Sequence, residues 1–226
     1  MKYNMKKFFL KIYLLIEYIC IYPLMRYHIK SIFSGKKVIL IGGKPPLKDW
    51  SDEISKYDIV VRINYPRYLD KKIGYAGRTD VLFMGSEYTP EFSDWIVDKL
   101  TTYQVITWTK NFIKHKIPPR KRLVLYPTIL PEFISKKISF EYLPEIIEKP
   151  FRSGLIGFYM IMKYGSCKQI DLLGFSQNSE DFLETEYFIK STFKYFEADK
   201  YHCSNTLETQ ALIKMVESCN FTNFIQ

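Results

Sequence analysis

KKVILIG, residues 36–42, is the stretch that decides the fold of this chain. The run is apolar, continuous and rich in β-branched residues, and it ends at a glycine, which is typical of a strand buried on both faces of a sheet. Later segments repeat the pattern, and each predicts a further strand: DIVVRIN (58–64), TDVLFMG (79–85), YQVITWT (103–109), RLVLYP (122–127) and KQIDLLGF (168–175).

The stretches between these runs predict helices at 47–57, 90–100, 154–164, 181–196 and 206–218, and loops at 110–122 and 131–150. Strands that alternate with helices are typical of an α/β domain with a mainly parallel central sheet flanked by helices. A chain of 226 residues has room for one ordinary core. We therefore expect a single Rossmann-like domain over residues 36–226, preceded by a distinct segment over residues 1–35.

The composition excludes several classes of protein. Hydrophobic residues make 47% of the chain and charged residues 25%, a globular composition that excludes disorder and low-complexity arrays. The net charge is +9, but eight basic residues against Glu17 alone lie up to Lys37, so most of the surplus belongs to the amino-terminal segment. The near-neutral remainder does not predict nucleic-acid binding, and we expect the amino-terminal segment to meet an anionic partner.

The segment FFLKIYLLIEYICIYPLM, residues 8–25, is nearly long enough to span a bilayer. Two charged residues, Lys11 and Glu17, lie within this segment, and Pro23 interrupts it. A charge near the bilayer centre costs about 2.5–3.5 kcal/mol on insertion. One stripe of the helical wheel carries Lys7, Lys11, Tyr18 and Tyr22. The pattern favours an amphipathic helix on an anionic membrane surface, where each Lys adds about 1 kcal/mol. A true span, an uncleaved signal peptide and a buried core helix stay open as alternatives.

Glycines and an asparagine mark the carboxyl ends of three predicted strands, which is where open α/β sheets bind their ligands. Gly42 and Gly43 follow the first strand and let a ligand approach the backbone, without forming a dinucleotide fingerprint or a Walker loop. Asn64 ends the second strand and suits a ribose or a base edge, because its amide both donates and accepts. Gly174 and Phe175 end the last strand. Taken singly, such residues more often belong to an ordinary turn.

Two further features can carry chemistry. The segment FRSG, residues 151–154, begins a predicted helix, and its free N–H groups and hydroxyl can hold a phosphate or a carboxylate. His202 precedes the last predicted helix, and general base is its natural role because a neutral imidazole takes up a proton near pH 7. An ordinary loop histidine is the alternative. The basic loop 110–122 is either solvated or a contact for lipid headgroups or an anionic acceptor.

Together these segments resemble the sialyltransferases of glycosyltransferase family 29. Residues 37–85 look like the large sialylmotif, and the positions that match it are Asp58, Arg62, Asn64, Gly77, Arg78 and Thr79. Residues 150–175 are similar to the small sialylmotif, with Ser153-Gly154-Leu155 and Gly174-Phe175 in register. Tyr187 stands 15 residues before His202, which fits an aromatic motif ahead of the family's His…Glu motif. Residues 201–212, YHCSNTLETQAL, also resemble the bacterial sialyltransferases of family 42.

The resemblance implies a GT-A-variant sialyltransferase fold and CMP-sialic acid as the donor. The residues that would hold this donor lie at the strand ends and the helix start: Gly42, Gly43, Asn64, Arg152, Ser153, Gly154, Gly174 and Phe175. His202 would take the proton of an acceptor hydroxyl that attacks the anomeric carbon with inversion, and Tyr187 would donate a hydrogen bond to the departing phosphate. The chain has no Asp-x-Asp motif, so neither a metal nor another cofactor is expected.

The chain departs from the family pattern in three ways. Gly43 stands where the family has Asn, which leaves open another CMP-activated acid sugar, such as Kdo, as the donor. Five residues rather than four separate His202 from Glu208. Cys167 matches the small-motif cysteine, but Lys37 or a neighbour occupies the usual partner position, so the family's disulfide cannot form. The four cysteines, which show no metal-binding spacing, are expected to be free thiols in a reducing compartment.

The sequence thus predicts a membrane-surface, metal-independent sialyltransferase-like enzyme at the cytoplasmic face of the inner membrane. It would complete a bacterial surface glycan or lipooligosaccharide, and its partners would be a CMP-sugar donor, a glycan or glycolipid acceptor and the anionic membrane. A non-catalytic nucleotide- or glycan-binding protein of the same fold is the alternative from another class.

Overall fold

A computed structural model of the chain describes residues 19, 22–42, 49–63, 78–84, 104–107, 122–125, 130–145, 147–175, 177 and 203–225. The strands within these ranges are Lys37–Ile41 (β1), Ile59–Ile63 (β2), Val81–Met84 (β3), Gln104–Thr107 (β4), Arg122–Leu125 (β5), Gln169–Leu173 (β6) and Thr222–Ile225 (β7). The helices are 22–33 (α1), Ser51–Ser55 (α2), Leu130–Tyr142 (α3), Ser153–Tyr164 (α4) and Asn205–Glu217 (α5).

All neighbouring strands of the described sheet run parallel, in the order β5-β4-β3-β2-β1-β6-β7. The chain moves outward from β1 to β5 and then returns to the opposite side of β1 for β6 and β7. Strands β1 and β6 therefore form the topological switch point, where the carboxyl-terminal residues Ile41 and Leu173 lie side by side. The predicted Rossmann-like α/β fold with a parallel sheet is confirmed, and all six predicted strands are present.

Helices cover both faces of the sheet, because alternate residues of each strand point to opposite sides. Val38 and Leu40 of β1 pack in the larger core with α1, α3, α4 and α5, whereas Ile39 and Ile41 pack on the other face with α2. Nearly all of α4 is buried, since residues 155–162 carry no charged side chain. The continuous apolar runs are thus a correct indication of strands that are buried on both faces.

The segment 131–150, expected to be a loop, instead contains most of helix α3. Ile134 and Ile138, one helical turn apart, are fully buried. The serines beside them share the buried face and serve the chain that follows: the Ser135 hydroxyl accepts the amide of Phe151 at 2.9 Å. Because these buried positions are polar, the apolar residues alone do not show the helical period. The loop prediction was wrong for this reason.

Other predicted elements differ in extent or cannot be compared. The helix predicted at 47–57 is only five residues long, Ser51–Ser55. Strand β7 was not expected, because TNFI is a short edge strand with a single buried residue, Thr222. Outside the described residues lie the predicted helices 90–100 and 181–196 and the basic loop up to residue 121.

Residues of the large-motif resemblance tie β1, β2 and β3 together, mainly at the amino edge of the sheet. The Asp58 carboxylate accepts the amide of Lys37 at 2.8 Å. Arg78 donates to two main-chain carbonyls ahead of β2, at 3.0 and 2.8 Å. The buried Arg62 donates from Nε to the Thr79 hydroxyl at 2.8 Å. These contacts give the matching residues a structural role in sheet assembly.

Helix α1 packs on the main core, although it belongs to the segment that was predicted to stand before the domain. Met25, Ile29 and Phe33, spaced by one helical turn, are buried in the same core as the sheet. The Tyr22 hydroxyl lies 2.6 Å from the Tyr164 hydroxyl on α4. In the described ranges, no helix has the length and apolarity of a membrane span. The domain division at residue 35 and a membrane-associating role stay predictions.

The packing of α1 leads to a stability prediction. Ile29→Ala should lower the free energy of unfolding of the full chain by about 2–5 kcal/mol, because it leaves a cavity in the shared core. Tyr27→Ala on the same helix is the control: its side chain is 75% exposed, so the change should stay within about 0.5 kcal/mol. Urea unfolding of both variants measures the difference, and an unchanged midpoint for Ile29→Ala would show that α1 contributes nothing to the core.

Candidate active site

Two glycines meet at the carboxyl ends of β1 and β6. The amide of Gly42 donates to the carbonyl of Leu173 at 2.8 Å, which extends the pairing of the two strands by one residue. A Cβ atom on Gly42 would lie 2.5 Å from the carbonyl oxygen of Gly174, closer than any side chain allows. Gly174 itself has a φ of +71°, in the left-handed region that favours glycine. Both positions therefore require glycine, and the backbone at the switch point carries no side chain there.

The start of α4 packs against the end of β6. A Cβ atom on Gly154 would lie 3.4 Å from Cε1 of the Phe175 ring, so this ring packs against Gly154 in the first turn of the helix. The residue before the helix, Arg152, makes no side-chain cap. Its carbonyl accepts the amides of Leu155 and Ile156, at 3.1 and 3.2 Å. The earlier amides of the first turn have no partner within a helix, which makes this end suited to an anion.

An ion pair between the half-buried Arg152 and the buried Glu208 joins the starts of α4 and α5. Nη1 of Arg152 donates to Oε2 of Glu208 at 2.8 Å, and the Arg152 amide lies 3.5 Å from the same oxygen. Glu208 is 6% exposed. Burial raises the pKa of the Glu208 carboxyl, and the guanidinium of Arg152 partly offsets this rise. Arg152, which the resemblance assigns to donor binding, thus holds α5 in place as well.

A second contact brings the chain ahead of α5 to the same place. The amide of Cys203 donates to the carbonyl of Pro150 at 3.1 Å. The Ser204 hydroxyl then caps α5 by accepting the amide of Leu207 at 3.4 Å. Burial raises the pKa of the Cys203 thiol to about 12, so the thiol stays protonated at neutral pH. The residue that follows His202 in the chain is therefore fixed beside the start of α4.

The structure brings six of the predicted site residues to the carboxyl edge of β1 and β6 or to the adjoining start of α4: Gly42, Arg152, Ser153, Gly154, Gly174 and Phe175. The other four lie outside the described residues: Gly43, Asn64, Tyr187 and His202. The roles of all ten residues stay predictions. In the part of the chain that the structure describes, no group of three or more His, Cys, Asp or Glu side chains could hold a metal ion.

The residue whose role sequence reasoning missed is Glu208. The sequence pattern indicates only its spacing from His202, whereas in the structure its carboxylate accepts from Arg152 and holds α5 against the start of α4. A signal was present in the helical pattern: Glu208 shares the buried face of α5 with Ala211, Leu212 and Met215, at offsets of three, four and seven residues. A lone carboxylate on an apolar helix face needs a buried cationic partner, which the sequence alone does not name.

The ion pair predicts a pH-dependent stability change. Arg152→Met should cost about 3–5 kcal/mol near neutral pH, because it leaves a buried carboxylate without its partner. The loss should shrink in acid. The raised pKa of Glu208 rises further in this variant, so the stability linked to its neutral form is present below about pH 4.5 and is lost as the pH rises through the folded-state pKa. Urea unfolding at acid and neutral pH measures both effects.

The double variant Arg152→Met/Glu208→Leu is the matched control for that measurement. With both charges removed, its stability should return toward the wild-type value and lose the added pH dependence. A loss of stability in Arg152→Met that is the same at acid and neutral pH would contradict the role given to the buried charge.

Comparisons with known proteins add to this picture. No protein-family model matches the sequence, and no curated protein matches it. Among solved structures, a mammalian sialyltransferase matches with a TM-score of 0.51 at 15% identity, over 87% of this chain and 71% of that one. Another mammalian sialyltransferase structure, in complex with Gal-β-1-3GalNAc-ortho-nitrophenol, matches with a TM-score of 0.49 at 16% identity, over 87% and 71%.

The sialyltransferase CstII from Campylobacter jejuni, in complex with CMP-3FNeuAc, matches with a TM-score of 0.44 at 18% identity, over 84% of this chain and 78% of that one. At 15% identity, the mammalian match with a TM-score of 0.51 shows the fold alone and no function. The chain shares the fold of a mammalian sialyltransferase at low sequence identity, so its α/β fold is sialyltransferase-like, as the resemblance of its motifs predicted.

Proposed function

We propose that this chain is a glycosyltransferase that transfers sialic acid from CMP-sialic acid to a hydroxyl of a glycan. The observation that carries the proposal is the meeting of three elements at the switch point, in a chain with a sialyltransferase-like fold. The bare carboxyl ends of β1 and β6 adjoin the amino end of α4. Open α/β sheets bind nucleotides at this edge, and a helix amino end attracts phosphate.

The donor is held by backbone as much as by side chains in this proposal. Gly42 packs against the Gly174 carbonyl and the Phe175 ring, and the nucleotide lies along the strand ends beside them. The first amides of α4 and the Ser153 hydroxyl bind the phosphate or the sialic carboxylate, aided by the helix dipole. Asn64 and Gly43 complete the nucleotide site.

His202 is the general base of the proposed reaction. It takes the proton of the acceptor hydroxyl while that oxygen forms a bond to the anomeric carbon. The bond from this carbon to the phosphate oxygen breaks, CMP leaves, and the configuration is inverted. Tyr187 donates a hydrogen bond to the departing phosphate as its charge develops. The contact between Cys203 and Pro150 supports this role of His202, since it fixes the next residue of the chain beside the anion-binding end of α4.

The acceptor and the location belong to the same proposal. The acceptor is a bacterial surface glycan or lipooligosaccharide, and the enzyme works at the cytoplasmic face of the inner membrane. The surplus of positive charge up to Lys37 supports this location, because the inner leaflet is anionic.

The experiment that tests the proposal measures CMP release from CMP-sialic acid with a lactose-type acceptor in the presence of EDTA. We expect acceptor-dependent release by the wild type and a loss of about 10²–10⁴ in kcat for His202→Ala, since a positioned base contributes that much. His28→Ala is the matched control and should retain the wild-type rate, because His28 lies on α1, which contacts the last turn of α4 and not its start.

Each other result has a defined meaning. Turnover of CMP-Kdo but not of CMP-sialic acid would keep the mechanism and change the donor. Tight CMP binding without turnover of any CMP-sugar would replace the enzyme by a binding protein of the same fold. Equal rates for His202→Ala and wild type would remove His202 from the mechanism.

The start of α4 gives a separate prediction for donor binding. Ser153→Ala should raise the Kd for CMP about 10- to 150-fold, because one hydrogen bond to a charged phosphate, worth about 1.5–3 kcal/mol, is lost. Ser55→Ala, an exposed serine on α2, is the control and should bind CMP like the wild type. Isothermal titration calorimetry measures both, and an unchanged Kd for Ser153→Ala would place the phosphate elsewhere.

A further inference from the structure

Helix α1 has an outward face that combines apolar and basic side chains. Leu24 and Tyr27 are 65% and 75% exposed. Ile19, three residues before the first described residue of α1, is 59% exposed. Arg26 and Lys30 are exposed as well and lie along one flank of these apolar residues, with Arg26 nearest the buried stripe. We call Leu24, Arg26, Tyr27 and Lys30 the outward face of α1.

The charge on this face has one sign. Residues 22–33 contain no Asp or Glu, so nothing on the helix neutralises Arg26 and Lys30. The guanidinium of Arg26 lies 5.5 Å from the ring centroid of Tyr164, which holds it at the edge of the helix. A surface that exposes apolar groups with cations along one flank is complementary to a surface that is apolar inside and anionic at its boundary.

The other large exposed apolar residue of the described chain differs in this respect. Phe140 on α3 is 80% exposed. Its helix carries both signs of charge, because Lys136 pairs with Glu132 at 2.9 Å and Glu141 pairs with Lys163 at 2.7 Å. Phe140 therefore has no charge complementarity to an anionic partner and serves as an internal reference.

The inward side of α1 is fixed to the domain. Its three buried residues lie in the main core, and Nζ of Lys137 on α3 donates to the Tyr22 hydroxyl at 2.7 Å. The same Nζ lies 4.6 Å from the centroid of the Tyr22 ring. Whatever contacts the outward face of α1 thus contacts the folded domain directly, with no flexible linker between them.

We propose that the outward face of α1 is a contact surface for an anionic lipid bilayer, which holds the domain rigidly on the membrane. Leu24 enters the boundary between headgroups and acyl chains. Tyr27 places its ring there and keeps its hydroxyl in water. Arg26 and Lys30 meet lipid phosphates. This inference rests on the membrane location in the proposed function and names the surface that makes the contact. Vesicle binding needs neither donor nor acceptor, so its failure is distinguishable from a failure of the transferase reaction.

The test is co-sedimentation of the full chain with vesicles of phosphatidylcholine alone and of equal parts phosphatidylcholine and phosphatidylglycerol. We expect Leu24→Ser/Tyr27→Ser to lower the partition coefficient on the mixed vesicles at least about tenfold, because two apolar side chains no longer leave water. Lys30→Gln should lower it about fivefold on the mixed vesicles and not on the neutral ones. Phe140→Ser, the matched control, should partition like the wild type.

All of these side chains are exposed, so urea unfolding should show the same stability for every variant. The proposal is overturned if the double variant partitions like the wild type, or if Phe140→Ser loses as much binding. Sedimentation velocity gives a further test. The proposal is also overturned if the wild type is an oligomer, the double variant is a monomer, and both bind vesicles equally. In that case the outward face of α1 contacts a second copy of the chain.

Discussion

The pairing of β1 with β6 is the constraint on which the rest of the structure depends. It places two carboxyl ends side by side at the only point of the described sheet where the strand order reverses. No side chain fits between Gly42 and the Gly174 carbonyl, so the ends of the two strands approach closely. The candidate site follows from this geometry, because the Phe175 ring and the start of α4 pack beside these strand ends.

Helix α4 connects the site, the core and the amino-terminal helix. Its first turn lies under the Phe175 ring. Its middle lies very close to the sheet, since a Cβ atom on Gly157 would be 3.3 Å from Cδ1 of Ile63 and 3.4 Å from Cγ of Phe83. Its last turn bonds to α1 through Tyr164. One helix of 12 residues therefore contacts the candidate site, the sheet and α1, and sets their relative positions.

The sequence predicted the sheet well because the strands are buried on both faces, and continuous apolar runs such as KVILI have few other structural solutions. It predicted α3 poorly because buried serines interrupt the apolar pattern of that helix. The meeting of Gly42, Gly174 and the start of α4 was predictable from the rule that strand ends form sites. The partner of Glu208 was not, because Arg152 lies 56 residues away along the chain and local patterns carry no information at that distance. Asp58 and Arg78 add a further lesson: residues that carry a motif resemblance also serve the assembly of the sheet.

Arg152 and Glu208 lie 56 residues apart along the chain, which affects the order in which the structure forms during biosynthesis. Six of the seven strands in the described ranges, and the whole of α4, leave the ribosome before α5 does. Contacts between distant parts of the chain form late, because loop-closure entropy must first be overcome. A nascent chain can therefore pair most of its sheet while the start of α4 still lacks the carboxylate that holds it. The ion pair between Arg152 and Glu208 forms only when α5 docks. The candidate site is therefore completed late in synthesis, after most of the sheet has formed.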